Sequence, residues 1–144
     1  MSMSFNSNGH LHKTVELTLA EFEQHFGTND WRKERIKNAL IFFEIFSACN
    51  CQTVYIGGSF VSTKNFPDDI DLCFDLGEVD YDKLTKAFPD FIDFNKIGEI
   101  RKNLKCHILH FDNANLQYLR MLEKDKDGDP KGLVKINLKE IFYD

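Results

Sequence analysis

No stretch of this 144-residue chain approaches the ~20 consecutive apolar residues that a membrane-spanning helix requires. The opening residues, Met1 to Lys13, lack the apolar run of a signal peptide and are rich in Asn and Ser. Residues 1–13 therefore read as a flexible arm. Basic residues are not in excess: the net charge is −5, which speaks against sequence-independent binding to a nucleic-acid backbone. Neither a membrane nor DNA is expected as a partner. Cysteine is sparse, and Cys49 and Cys51 flank Asn50 with no matching second pair. A zinc site would have to add His107 and His110. The simpler reading is four small, reduced thiols in a cytoplasmic protein. With no internal repeat and no long linker, residues 14–144 form one domain by length.

What the chain has in abundance is phenylalanine, fourteen residues, which points to a core built on aromatic packing. Thr18-Leu19-Ala20-Glu21 has the form of a capping box, so a helix starts at Thr18 and stops at Gly27, a residue suited to the left-handed position past a helix end. Asn29 or Asp30 caps a longer helix to about Ala48, with Ile36, Leu40, Phe43 and Phe46 on its buried side. Strands are predicted at Thr53–Ile56, Asp69–Phe74, Lys105–Phe111 and Gly132–Leu138, and a short one at Phe91–Phe94. Helices are predicted at Asp82–Phe88, Ile97–Asn103 and Leu116–Leu122, with a turn at Asp127–Pro130. Asp125, Asp127 and Asp129 superficially resemble a calcium loop. The glycine comes too early for an EF-hand, however, and no Glu follows at the required distance.

The chemistry is concentrated in Val54-Tyr55-Ile56-Gly57-Gly58-Ser59 and, after a short connector, Asp69-Ile70-Asp71-Leu72. Alternate residues of a strand share a face, so Asp69 and Asp71 project together while Ile70 and Leu72 enter the core. Two adjacent carboxylates repel unless a cation lies between them, and an all-oxygen set suits Mg²⁺ or Mn²⁺. Gly58 permits close backbone approach, leaving N–H groups and the Ser59 hydroxyl for phosphate oxygens. Lys64, in the connector, is placed to add a positive charge. Arg101, Lys102 and Lys105 are further basic residues, read more simply as a solvated helix face. His10 and His12, in the arm, need no function.

A strand ending in Gly-Ser, followed by Asp-x-Asp on the next strand, resembles the nucleotidyltransferase superfamily that includes DNA polymerase β. The resemblance covers Val54 to Phe74 and implies an α+β fold, a mixed sheet with helices largely on one face. More loosely, the whole chain resembles small nucleotidyltransferase-like bacterial proteins. It implies that Gly58 and Ser59 contact an NTP, that Asp69 and Asp71 bind Mg²⁺ or Mn²⁺, and that an NMP is transferred to a hydroxyl of a protein, an RNA or a small molecule. Members of this kind occur in toxin–antitoxin pairs, so the resemblance implies a toxin as one candidate protein partner. Active members need a third carboxylate on a later strand. Asp93, within Phe91-Ile92-Asp93-Phe94, has the required apolar-Asp-apolar form, although it also suits a helix cap. Asp112 closes the Lys105–Phe111 strand. Without a third carboxylate the expectation becomes a catalytically inactive module that binds a nucleotide or a protein partner.

Overall fold

Thr18 and Glu21 form the reciprocal cap expected of them: the Thr18 hydroxyl accepts from the Glu21 N–H, and the Glu21 carboxylate accepts from the Thr18 N–H. They open helix α1, Leu19–Phe26. The computed structural model describes residues 3–142, and Met1, Ser2, Tyr143 and Asp144 lie outside the described residues. Helix α1 follows the two-residue strand β1, Val15–Glu16. Gly27 ends α1 with an ordinary φ of −87°, not the left-handed value anticipated. Glycine is needed there because a Cβ would approach the Glu23 carbonyl oxygen to 2.7 Å.

Asn29 caps α2, Asp30–Ala48, which leads into β2, Thr53–Gly57. A 3-10 turn, Gly58–Val61, begins the connector to β3, Ile70–Asp75. Then come α3 (Tyr81–Ala87), a 3-10 turn at Pro89–Ile92, α4 (Phe94–Leu104), β4 (Cys106–Phe111), α5 (Gln117–Leu122), β5 (Val134–Asn137) and α6 (Leu138–Phe142). The sheet order is β1-β5-β2-β3-β4. Strand β2 pairs antiparallel with both β3 and β5, while β4 runs parallel to β3 and β1 parallel to β5. The protein is thus α+β with a mixed five-stranded sheet.

Alternation along the strands divides two apolar layers. Val54, Ile56, Ile70, Leu72, Phe74, Val134 and Ile136 join the main core with the buried faces of α1, α2 and α3. Cys73, Leu109, Phe111 and Leu133 form a smaller layer under α5. The main core is aromatic: Phe22, Phe43, Phe46, Phe60 and Phe74 are fully buried. Among the described residues, no helix is long and apolar enough to cross a membrane.

Two expectations need correction. Phe91–Phe94 is not a strand, because Pro89 opens a 3-10 turn and Asp93 then caps α4 with a carboxylate that accepts from the N–H groups of Asn95 and Lys96. The described part of the arm is tied down. Leu11 is buried, Phe5 bridges to Leu11, His10 bridges to Ser62, and the Gly132 N–H donates to the Leu11 carbonyl.

Ring packing also gives His110 a pH-dependent role. It lies 4.9 Å from Phe91 and 6.0 Å from Tyr118, centroid to centroid. Burial holds its imidazole below the ordinary 6.5, against a weaker opposite pull from Asp112. The unfolded chain therefore takes up the proton at higher pH than the folded one. Stability should be constant above the unfolded value, fall as pH drops through 6.5, and level off below the folded value. Urea midpoints between pH 8 and pH 5 test this: His110→Gln should flatten that part of the profile, and an unchanged profile would refute the assignment.

Candidate functional site

The connector between β2 and β3 is held by side chains from the first turns of α2, and nearly all of these bonds go to its backbone carbonyls. Asn29 Nδ2 donates to Asn65 O at 2.9 Å, and Trp31 Nε1 to Pro67 O at 2.7 Å. The Arg32 guanidinium, only 3% exposed, donates to four carbonyls. Nη1 reaches Phe60 O at 2.7 Å and Phe26 O at 3.3 Å, Nη2 reaches Ser62 O at 3.0 Å and also Lys64 O, and Nε lies 3.2 Å from Lys64 O. Arg35 Nε donates to Asp68 O at 3.2 Å, with its guanidinium 3.8 Å over the Trp31 ring. Carbonyls that would otherwise be unsatisfied are matched by fixed cationic donors. This clamp sets the path of the chain from Ser59 to Asp69.

At the start of the connector Gly58 has φ +74°, a left-handed conformation that favours glycine. A Cβ at this position would collide with the Asp71 carboxylate, so Gly58 backs directly onto that side chain. The contact follows from register, because Gly57 pairs with Asp71 across β2 and β3. On the other side, β4 places His107 opposite Asp71. His107 Nδ1 lies 3.2 Å from Asp71 Oδ1. An ionised carboxylate only accepts, so Nδ1 carries the hydrogen in that pair. Asp69, one residue before β3, accepts from Arg101 Nε at 2.7 Å. That bond raises the Arg101 guanidinium above its already high ordinary value. Gly58, Ser59, Asp69 and Asp71 are thus gathered at one end of β2 and β3, with Arg101 and His107 as partners of the two acids.

The third carboxylate is a different matter. Asp93 is exposed and serves as the α4 cap, at the opposite end of that helix from Arg101, roughly 12 Å away at about 1.5 Å per residue. Asp112 holds the turn after β4, accepting from the Ala114 and Asn115 N–H groups. It lies roughly 16 Å along the strand from His107 at about 3.3 Å per residue. Asp93, expected to complete the acidic set, is here an exposed helix cap whose carboxylate accepts from the Asn95 and Lys96 N–H groups. Lys64 is exposed, and it is its carbonyl, not its ammonium, that is engaged, by Arg32. Among the described residues no group of three His, Cys, Asp or Glu side chains could hold a metal ion. The residues present do not fit a two-metal centre: only two acids are gathered, and each already has a donor.

The cysteines stay apart from this chemistry. Burial pushes the thiols of Cys51, Cys73 and Cys106 up to about 12, so they remain protonated near neutrality. Cys51 donates weakly to the carbonyls of Asp75 and Thr53. His107 bonds Asp71, while His110 packs between rings, so among the described residues no zinc arrangement is assembled. Asp125 is used inside its own turn, accepting from the N–H groups of Asp127 and Asp129, and those bonds hold its carboxyl low.

Arg32 and Arg35 were missed as organisers of the connector, although a signal existed. Arg32, Ile36, Ala39 and Phe43 share one helical stripe, so a cation stands where burial is required. The pairing of His107 with Asp71 had no local signal, since it depends on the register of a parallel strand pair. A family model described as a family of unknown function (DUF6932) matches residues 3–137. No curated protein and no solved structure matches the chain.

Proposed function

The chain belongs to this family of unknown function, and we propose that it is a nucleotidyltransferase-like module that binds a nucleotide without transferring it. One observation carries this reading: the Gly58 backbone is packed onto Asp71, while both acids of the Asp69–Asp71 pair are engaged by donors from α4 and β4. Bare carboxylates beside a triphosphate would repel it. Arg101 offsets the charge of Asp69, and His107 satisfies Asp71, so an anion can approach Ser59 with less electrostatic cost. Transfer would need a further carboxylate to activate the acceptor or hold a metal. Asp93 and Asp112 support no such role, since each is spent on a local backbone turn.

The test is a melting experiment with ATP, GTP, CTP and UTP in turn, each with Mg²⁺, with Mn²⁺ and with a chelator. A nucleotide that binds only the folded chain, at about 100 times its Kd, should add about 2.7 kcal/mol of stability. At least one NTP is expected to do so, and the stabilised complex should release no pyrophosphate on prolonged incubation with cell extract as a source of acceptors. Pyrophosphate release lost in Asp71→Asn would overturn the non-transferring half of the proposal. Melting curves unmoved by all four nucleotides would overturn the whole.

A further inference from the structure

Ser59 does not face open solvent alone. It shares a groove of about 430 Å³ with Asn8 and His10 from the N-terminal turn, and with Asp125, Lys126, Asp127 and Lys131 from the turn before β5. The two turns are brought there by backbone bonding. The Thr63 N–H donates to Gly9 O, and His10 bridges to Ser62, which fastens the N-terminal turn to the exit of the Gly-Ser element. On the other side, the Lys131 N–H donates to Glu123 O and the Gly132 N–H to Leu11 O.

The polar groups of this groove are not equivalent. Asp125 is consumed by its own turn, as described above, and Gly128 closes that turn at φ +83°. Lys126 and Lys131 line the groove beside Ser59 together with two carboxylates, of which Asp125 is held by its own turn and Asp127 is not. His10 Nδ1 is buried and has no hydrogen-bond partner. Buried polar atoms are nearly always hydrogen-bonded, so a water or a ligand is the natural partner of this one. The volume suits a small phosphorylated molecule.

We infer that this groove is the nucleotide's phosphate subsite, with Ser59, Lys126 and Lys131 as the groups that hold the phosphates and half-buried His10 as a support at its wall. The inference rests on the nucleotide-binding reading above and adds residues that the Gly-Ser and Asp-x-Asp elements do not contain. It also decides between two lysine-bearing surfaces of mixed charge. The other, lined by Asp68, Asp69, Gly98, Arg101, Lys102 and Lys105, already spends Arg101 on Asp69.

Isothermal titration of the full chain with each of the four NTPs, and with inorganic tripolyphosphate, tests the assignment. Lys126→Glu with Lys131→Glu should weaken NTP and tripolyphosphate alike by about tenfold or more, because charge-assisted contacts to phosphate are lost and replaced by repulsion. Lys102→Glu with Lys105→Glu, on the far side, should change affinity by less than about twofold once the screened long-range effect is allowed for. Neither Lys126 nor Lys131 is buried, so both variants should keep the wild-type melting temperature without ligand. If NTP affinity survives the first reversal, or falls with the second instead, the groove assignment is wrong while nucleotide binding stands. If the wild type binds no NTP, the nucleotide reading fails and this inference fails with it.

Discussion

Arg32→Met is expected to cost about 3–5 kcal/mol of folding stability, because several buried carbonyls, each costing about 1–3 kcal/mol when left unsatisfied, lose their donor at once. The methionine keeps an apolar stem against Phe60, whose ring the guanidinium covers at 4.8 Å. It donates to none of the carbonyls of Phe26, Phe60, Ser62 and Lys64. Leaving several buried acceptors without donors is costlier than losing the net value of their bonds. Arg32→Lys should recover little, since a single ammonium cannot span carbonyls that a planar fork reaches at once. Burial already lowers the Arg32 pKa, so part of the native free energy is spent keeping that charge inside. Urea denaturation of both variants measures the effect. A loss below about 1 kcal/mol in Arg32→Met would mean that the connector carbonyls find water instead, and that the clamp is not what orders the path from Ser59 to Asp69.

A loss of similar size should follow Phe46→Ala, about 3–5 kcal/mol. The Phe46 and Phe74 rings lie face to face, 3.8 Å apart and within 6° of parallel, and both are fully buried. Phe88 and Phe91 meet Phe46 edge-on at 6.2 and 5.7 Å. Truncation removes the stack and opens a cavity among rings too rigid to collapse into it. Phe46→Leu should retain much of the buried area and cost clearly less. Because the two rings share one contact, Phe46→Ala and Phe74→Ala combined should destabilise by less than the sum of the single losses. Strict additivity in the double mutant would show that the stack contributes nothing beyond the two separate burials. Phe74 lies on the same strand as Asp71 but on the opposite face, so the core side of β3 sets the strand on which the acid is carried.

How far such a site can be read from the chain depends on the range of the forces that build it. The cap of α1 was legible because Thr18 and Glu21 bond each other three residues apart, and the Asn29 cap because its acceptor meets the Arg32 N–H at the same spacing. Alternation in β3 placed Asp71 on the face away from Ile70 and Leu72, and the order strand, Gly-Ser, strand brought Gly58 against Asp71 through a hairpin-like antiparallel pair. Asp93 was misread because its apolar neighbours suggested a strand. Ile92 and Phe94 are in fact 77% and 86% exposed, so the pattern reflected surface, not core.

By itself, then, the sequence determined the caps that open α1 and α2, the aromatic character of the core and which face of β3 carries Asp71, because capping bonds and side-chain periodicity act over a few residues. Only the tertiary structure decided what those acids meet. His107 reaches Asp71 across 36 positions and Arg101 reaches Asp69 across 32, through a parallel pairing whose register no local pattern encodes. The same holds for Arg32, which reaches the Ser62 carbonyl across 30 positions. It holds for the N-terminal turn as well: its polar composition suggested a loose arm, yet Leu11 is buried and its carbonyl accepts from the Gly132 N–H. Each of these contacts requires the chain to close a long loop first, and the free energy that repays the closure comes from the assembled core, not from the residues at the loop's ends.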